Sequence, residues 1–176
     1  MEMISDLFNE FGSLGPMILN FLSIYLLWNK HNLLFYYIVG VFIDSILNLI
    51  LKGLFQQPRP SIDQKSFDLA FKHGKRFLFK DGMPYDMFGM PSGHSQSVFF
   101  STAFIYLSLK KNNIAYIYLA ISLLTMLQRV VYNHHTVPQV IVGGLIGSAV
   151  GYLFYYLSTE KIKGTIREKL DDFGPI

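Results

Sequence analysis

The chain has 176 residues, of which 51% are hydrophobic, 16% are aromatic and only 15% are charged. This composition excludes an ordinary water-soluble domain, and the length predicts a single membrane-embedded domain over residues 1–176. The net charge of +3 comes from basic residues in one loop and beside hydrophobic runs, where they meet lipid head groups, so nucleic-acid binding is not expected. The absence of cysteine excludes disulfides and thiolate sites.

In chain order, the hydrophobic pattern predicts an all-α bundle of about five transmembrane helices, because a span needs about 20 mostly apolar residues. The first run is short and contains Gly15, Pro16 and Asn20, so a re-entrant or interfacial helix is an alternative there. The third and fourth runs are also short, which indicates a thin or tightly packed bundle. The five runs are residues 14–28, 33–51, 94–109, 113–128 and 137–158.

Basic residues predict the orientation of this bundle. If five spans alternate, Lys30, Lys110, Lys111 and the basic tail 159–176 all fall on one side, which we expect to be cytoplasmic. The long loop 52–90 and the turn 129–136 then share the opposite face. Loop 52–90 is polar and aromatic and is expected to cap that face, with residues 76–79 as one arm of a small hairpin.

The second span carries Asp44, Asn48 and Lys52 at intervals of four residues, which puts them on one face of a helix. An acidic residue inside a span is normally paired, so we expect Asp44 and Asn48 to hold Lys52 toward a site. Arg59 lies beyond the helix end, and the two cations would flank one pocket. The alternatives are that Asp44 packs against an unrelated helix and that both cations extend to the membrane interface.

The third span begins with Pro91, Ser92, Gly93 and His94. Ser92 is expected near the N-cap, and the free backbone N–H groups of such a helix start can bind a phosphate oxygen. His94 then lies in the first turn, where it can donate a proton to a leaving-group oxygen. The alternative is an ordinary helix cap with an interfacial histidine.

The fourth span ends at Arg129, and His134 and His135 precede the fifth span. A neutral imidazole among cations can attack phosphorus, and chemistry alone does not choose between the two histidines. A metal site is disfavoured, because consecutive residues point apart and no cluster of acids accompanies them. Fixed cations, a Ser-Gly helix start and histidines are what a phosphate ester needs to be bound and attacked without a metal or other cofactor.

With these motifs, the chain resembles the type 2 phosphatidic acid phosphatase superfamily of integral-membrane lipid phosphatases over about residues 33–158. The first family motif, Lys, six residues and Arg-Pro, fits residues 52–60, and the second, Pro-Ser-Gly-His, fits residues 91–94. The third fits at Arg129 and His135, whereas Gln128 and Gln139 stand where the family has Ser and Asp.

The resemblance implies a helical bundle and a metal-free mechanism with a lipid phosphate as substrate. It implies that His135, rather than His134, forms a phosphohistidine and that His94 protonates the leaving oxygen. Gln139 would orient His135 by a hydrogen bond but would supply no charge. By the same resemblance, the phosphate would be held by Lys52, Arg59, Ser92, Gly93 and Arg129.

The residues around the second and third motifs resemble the dolichyl diphosphatase branch, in which Gln commonly stands at the position of Gln139, although that branch has Ser where Gly93 stands. This likeness implies a polyprenyl diphosphate substrate. The alternatives are a phosphatidic acid or phosphatidylglycerol phosphate phosphatase and, from another class, a catalytically silent lipid-binding or lipid-transporting protein. The residues that carry the likeness are Tyr132, 135–136, 139–140, 89–92 and 94–96.

The fifth span contains Gly143, Gly147 and Gly151, again at intervals of four residues. Small residues at this spacing let another helix approach closely. We expect that helix to belong to the same bundle rather than to a second copy of the chain, whose presence the sequence does not decide.

Overall fold

The computed structural model describes residues 2–80 and 82–160, so most of the predicted cytoplasmic tail lies outside the described residues. Within these ranges the chain forms six helices and one two-stranded hairpin. In chain order the elements are α1 (Glu2–Leu27), α2 (His31–Phe55), α3 (Gln64–Lys72), β1 (Phe77–Lys80), β2 (Met83–Asp86), α4 (Gly93–Leu109), α5 (Asn112–Val131) and α6 (Val137–Thr159).

Four of the described helices are long and apolar enough to cross a membrane, namely α2, α5, α6 and the part of α1 from Asp6 to Leu27. The prediction of an all-α membrane bundle is confirmed. In place of the predicted short run, α1 is one continuous helix that starts at Glu2 and contains Pro16. Its early turns are tied to the bundle, because Gln128 Nε2 donates to Asn9 Oδ1 over 2.7 Å.

The short helix α4 lies at the centre of the bundle and packs against α1, α2, α5 and α6. Its neighbours are therefore protein rather than lipid, which explains why a 17-residue helix carries buried polar residues such as Ser95, Gln96 and Ser101. These groups find partners on the surrounding helices; Tyr37 Oη lies 2.8 Å from Ser101 Oγ. The expectation of a tightly packed bundle agrees with this arrangement.

The three glycines of α6 face α4 at successive turns. A Cβ atom on Gly143 would lie 2.5 Å from the carbonyl oxygen of Ser92, and one on Gly151 would lie 2.6 Å from that of Phe100. At Gly147 the added atom would overlap the carbonyl oxygen of Gln96. The two backbones are thus in direct contact, and the predicted packing inside the bundle is confirmed.

A small cap formed by α3 and the hairpin covers one end of the bundle. The hairpin pairs antiparallel from Phe77 opposite Asp86 to Lys80 opposite Met83, as the pattern of residues 76–79 predicted. Helix α3 was not predicted; Asp63 caps it by accepting a hydrogen bond from the Ser66 backbone N–H over 2.9 Å. The cap has a core of its own, formed by Phe67, Ala70, Met87 and Phe88.

Candidate active site

Four helix ends and the cap meet at one end of the bundle. Helices α2 and α5 end there, and α4 and α6 begin there, as follows from antiparallel helices joined in sequence. The predicted phosphate-binding and catalytic residues all lie at this end, on these helices or in the segments between them. They are Lys52, Arg59, Ser92, Gly93, His94, Arg129, His135 and Gln139.

Lys52 lies in the last turn of α2 and is buried. Its Nζ donates a hydrogen bond to the Phe88 carbonyl oxygen over 3.0 Å and lies 3.9 Å from Asp86 Oδ2. The same carboxylate accepts from Arg76 Nη2 over 2.8 Å, and its other oxygen accepts from the Phe88 backbone N–H. Asp86 on β2 therefore holds two cations of the cap and the bundle together.

Arg59 reaches from the segment after α2 toward the histidines. Its Nε donates to the Asp86 carbonyl oxygen over 2.7 Å, and its Nη1 lies 3.2 Å from His135 Nε2. Burial lowers the pKa of Arg59 and the Asp86 carboxylate opposes this, but the ordinary value is so high that the guanidinium stays charged at neutral pH. Arg59 thus brings a fixed positive charge to the imidazole of His135.

The start of α4 lies against the start of α6. Ser92 is the N-cap of α4, and its backbone N–H donates to the Gln139 carbonyl oxygen over 3.0 Å. Gly93 faces Asn48, whose Oδ1 would lie 3.1 Å from a Cβ atom at that position. His94 is half-buried in the first turn of the helix, as predicted. A side chain larger than hydrogen at residue 93 would crowd α2.

Asp44 and Asn48 contact α4 rather than Lys52. Gln96 Nε2 donates to Asp44 Oδ1 over 2.9 Å, and Asn48 Nδ2 donates to Gln96 Oε1 over 2.9 Å and to the Pro91 carbonyl oxygen over 3.3 Å. The expectation that Asp44 and Asn48 hold Lys52 toward the site is therefore wrong, because Gln96 of α4 binds both of them and Lys52 binds the cap. The contacts of Asp44 and Asn48 support the position of the Pro91–His94 segment.

Arg129, His134 and His135 share one tight turn at the end of α5. The backbone N–H groups of both histidines donate to the Arg129 carbonyl oxygen over 3.0 Å, which closes the helix. The two side chains have different surroundings: His135 is buried, whereas His134 lines an open cavity. Arg129 is also buried, and its Nε has no hydrogen-bond partner among the described residues.

Gln139 sets the tautomer of His135. Its Nε2 donates to the Pro58 carbonyl oxygen over 3.0 Å, and its Oε1 accepts from the Thr136 backbone N–H over 3.2 Å, so the amide has one possible orientation. Oε1 also lies 3.3 Å from His135 Nδ1. Because an oxygen can only accept, Nδ1 carries the proton. The lone pair of His135 is therefore on Nε2, beside Arg59.

The surroundings of His135 oppose protonation of this lone pair. Burial, followed by the positive charges of Arg59, Lys52 and Arg129, lowers the pKa of His135 far below its ordinary value, and the hydrogen bond to Gln139 acts weakly in the opposite direction. The imidazole is neutral at pH 7 as a result. A neutral ring nitrogen among cations is suited to attack an anionic phosphorus centre.

A cavity of about 600 Å³ opens between the cap and the helix ends. Its wall combines the cations Arg59 and Arg129 with the aromatic rings of Tyr85 and Tyr132. A positively charged cavity with aromatic sides accommodates a phosphate group together with the first atoms of its ester. The remaining lining residues are Ser61, Met83 and His134.

Two residues of this region were missed from the sequence, Asp86 and Gln96. Asp86 is one acidic residue in a mixed loop, and no local pattern connects it with Lys52. Gln96 stands between Ser95 and Ser97, ahead of the apolar residues that begin at Val98, and the sequence marked it only as part of the branch likeness. Its partners on α2 are 48 and 52 residues away in the chain, which only the crossing of two helices brings together.

Comparison with known proteins identifies the family. Residues 33–163, well over half of the chain, match the sequence pattern of the PAP2 superfamily. The chain belongs to the PAP2 superfamily. The PAP2 match confirms the resemblance to the type 2 phosphatidic acid phosphatases, and it includes the segments that carry all the site residues described above.

Curated PAP2 relatives include two named phosphatases. The chain is 31% identical to the dolichyldiphosphatase of Saccharomyces cerevisiae over 139 residues, which cover 73% of the chain and 51% of that protein. It is 37% identical to the lipid A 4'-phosphatase of Helicobacter pylori over 90 residues, which cover 51% of the chain and 45% of that protein. The chain thus spans about half the length of the curated relatives it matches.

The PAP2 fold is also present among solved structures. The crystal structure of Aquifex aeolicus LpxE matches this chain with a TM-score of 0.66 and 24% sequence identity, over 89% of the chain and 87% of that structure. The agreement extends over nearly the whole chain, so the two proteins share one fold.

Proposed function

We propose that this protein is a lipid phosphatase of the membrane, a single domain that hydrolyses a polyprenyl diphosphate or a related lipid phosphate through a phosphohistidine on His135. The observation that carries the proposal is the tautomer of the His135 imidazole and its position beside Arg59. Gln139 leaves the lone pair on Nε2, and Arg59 lies 3.2 Å from it, where a phosphate oxygen would be bound. In the structure Arg59 Nη1 donates to this lone pair; a phosphate bound here would take over the guanidinium and leave Nε2 free to attack.

In the proposed reaction, His135 Nε2 forms a bond to phosphorus while the bond from phosphorus to the leaving oxygen breaks. His94 takes up a proton as the anionic phosphate binds beside it and donates that proton to the leaving oxygen, and the lipid product leaves. A water molecule then gives its proton to His94 and attacks the phosphohistidine, which releases inorganic phosphate and restores His135. Charge on the transferred group is stabilised throughout by Lys52, Arg59, Arg129 and the Gly93 backbone N–H, because the Ser92 backbone N–H already donates to Gln139.

The likeness to a dolichyldiphosphatase over 73% of the chain favours a polyprenyl diphosphate. Glutamine at position 139 agrees with this choice, since the resemblance to that branch includes it. A lipid phosphate monoester is the second candidate, favoured by the likeness to a lipid A 4'-phosphatase over half of the chain. In both cases the reacting group is a terminal phosphate on a membrane lipid.

Phosphate release from purified protein tests the proposal. The panel contains polyprenyl diphosphate, polyprenyl monophosphate, phosphatidic acid, phosphatidylglycerol phosphate and lipid A. We expect the highest kcat/KM on polyprenyl diphosphate and a loss of at least about 10³-fold in His135→Ala, as for other removed nucleophiles. His134→Ala is the matched control, and we expect it to retain activity.

The alternatives give different outcomes in the same panel. Activity on phosphatidic acid with none on polyprenyl diphosphate would refute the substrate assignment. Full activity in His135→Ala would refute the phosphohistidine, which can also be sought directly as acid-labile, base-stable label transferred from a radioactive substrate. Binding of all lipids without release of phosphate would identify a catalytically silent lipid-binding or lipid-transporting protein.

We also propose that the site faces away from the cytoplasm. Lys30 lies between α1 and α2, and Lys110 and Lys111 lie between α4 and α5, at the opposite end of the bundle from the site. The absence of native cysteine allows a direct test with single-cysteine variants. In intact cells a membrane-impermeant maleimide should label Lys75→Cys and leave Lys110→Cys unlabelled; the reverse pattern would invert the orientation.

A further inference from the structure

The hairpin of the cap has an exposed apolar surface. Along β1, Leu78 points toward the cap core, whereas its neighbours Phe77 and Phe79 are exposed. Phe79 is 75% exposed, and the exposed Pro84 of β2 lies opposite it in the register of the hairpin. We refer to Phe77, Phe79 and Pro84 as the hairpin surface. Two exposed aromatic rings on one short strand are unusual on a surface that faces water, and they indicate contact with an apolar partner.

A contact between Arg76 and α2 shows where the hairpin lies along the axis of that spanning helix. Arg76 directly precedes β1, and its Nη2 donates to the Leu49 carbonyl oxygen over 2.9 Å. Its Nη1 lies beside Gly53, one turn further along the same helix. Leu49 is exposed on the outer side of α2, where a spanning helix meets lipid. Since α2 ends at Phe55 and a helix rises about 1.5 Å per residue, the base of the hairpin lies beside the last two turns of the span.

Basic residues accompany the hairpin surface. Lys72 ends α3 and Lys75 precedes Arg76, and both side chains are exposed. Aromatic rings at the level of the head groups, with lysines next to them, are typical of segments that bind the interface of a membrane with anionic lipids. The two lysines therefore favour an anionic lipid surface over a protein groove as the partner, because a purely apolar groove would leave their ammonium groups without counter-charges.

We propose that the hairpin surface docks into the head-group region of the surrounding bilayer and that Lys72 and Lys75 bind anionic lipid head groups there. The other face of the same hairpin carries Met83 and Tyr85, which line the cavity. At the end of β2, Asp86 lies 3.9 Å from Lys52 through its carboxylate and accepts from Arg59 through its carbonyl oxygen. Docking thus fixes the cap against the membrane from which a lipid enters the cavity. The docking itself does not depend on the proposed reaction.

Tryptophan fluorescence tests the docking. The native chain has one tryptophan, Trp28, at the far end of α1, so Trp28→Phe provides a background without signal. In that background Phe79→Trp is reconstituted in phosphatidylcholine–phosphatidylglycerol vesicles with acyl chains brominated close to the head groups. We expect at least about twofold quenching and protection from aqueous acrylamide, as for interfacial aromatic residues. Leu49→Trp, on the lipid-facing side of α2, is the positive reference.

A charge variant separates the head-group contact from simple burial. Lys72→Glu with Lys75→Glu, combined with Phe79→Trp, should weaken bromolipid quenching and restore acrylamide access. Lys110→Glu with Lys111→Glu, at the other end of the bundle, is the matched control and should change neither. All exchanged residues are exposed in the structure, and equal thermal midpoints of the variants exclude misfolding.

Two results would overturn the proposal. Free access of acrylamide without bromolipid quenching would show that the hairpin surface faces water. Protection from acrylamide without bromolipid quenching would show that a protein covers the surface instead of lipid. Neither result bears on phosphate release, so failure of the docking and failure of the proposed phosphatase activity are distinguished.

Discussion

Gln139→Glu tests how the site controls its nucleophile, because the exchange preserves size and adds one negative charge. A glutamate oxygen can still accept from the Thr136 backbone N–H and from His135 Nδ1. It cannot donate to the Pro58 carbonyl oxygen, which Gln139 Nε2 binds over 3.0 Å. The variant should therefore raise the pKa of His135 and lower the stability of the protein.

The size of both effects follows from the contacts. A full charge 3.3 Å from the imidazole contributes about 5 kcal/mol at an effective dielectric constant of about 20, which desolvation of the new carboxylate reduces. At 1.36 kcal/mol per pKa unit, we expect the pKa of His135 to rise by roughly one to two units. The unpaired Pro58 carbonyl should cost about 1–3 kcal/mol, which lowers the thermal midpoint by about 2–10 °C.

The pH dependence of kcat/KM reports the first effect. In the wild type the pKa of His135 is held low, so the nucleophile stays neutral in mild acid. In Gln139→Glu the ring takes up a proton at higher pH, and activity should be lost earlier as the pH falls. Gln139→Met, which removes all three hydrogen bonds without adding charge, is the control and should lower kcat without this shift. An unchanged acid limb in Gln139→Glu would refute the assignment of His135 as nucleophile.

Three further predictions follow from other contacts. Asp86→Asn removes the charge that pairs with Lys52 and Arg76, and KM should rise by about tenfold, or roughly 1.4 kcal/mol, with a smaller effect on kcat. Gly147→Ala should lower the thermal midpoint by at least about 5 °C, because its Cβ would overlap the Gln96 carbonyl oxygen, whereas Gly144→Ala meets only a phenylalanine ring at 3.4 Å and should be tolerated. A chelator should leave phosphate release unchanged, since Lys52, Arg59 and Arg129 supply the positive charge that a metal would otherwise bring; loss of activity with EDTA that magnesium restores would contradict this.

The assembly of the site residues at one end of the bundle was predictable, because alternating spans return polar segments to one face of the membrane. Lys52 marked the end of α2 within three residues of its observed end at Phe55, since a charged side chain is costly further inside. The length of α1 was not predictable from apolar residues alone. Its first turns also carry Glu2, Asp6 and Glu10, and the turn around Asn9 packs on α5, where Gln128 binds Asn9.

The contacts between the site residues were harder to predict than the identity of those residues. The spacing of Asp44, Asn48 and Lys52 correctly indicates a common face, but spacing cannot show what packs against that face. Gln96 of α4 binds the first two, and the cap binds the third. In the same way, Gln139 was recognised as a departure from the family pattern, whereas its second bond, to Pro58, depends on a loop 81 residues away.

The direct contact of α4 with α6 has a consequence for membranes of different thickness. Spanning helices adapt to a thicker or thinner bilayer chiefly by tilting. Where side chains separate two helices, such a tilt can change their axial offset, but at Gly143, Gly147 and Gly151 backbone meets backbone and leaves no such freedom. Helices α4 and α6 must therefore tilt as one body. The axial offset between His94 on one helix and Gln139 on the other then stays constant, whatever the length of the surrounding lipid chains.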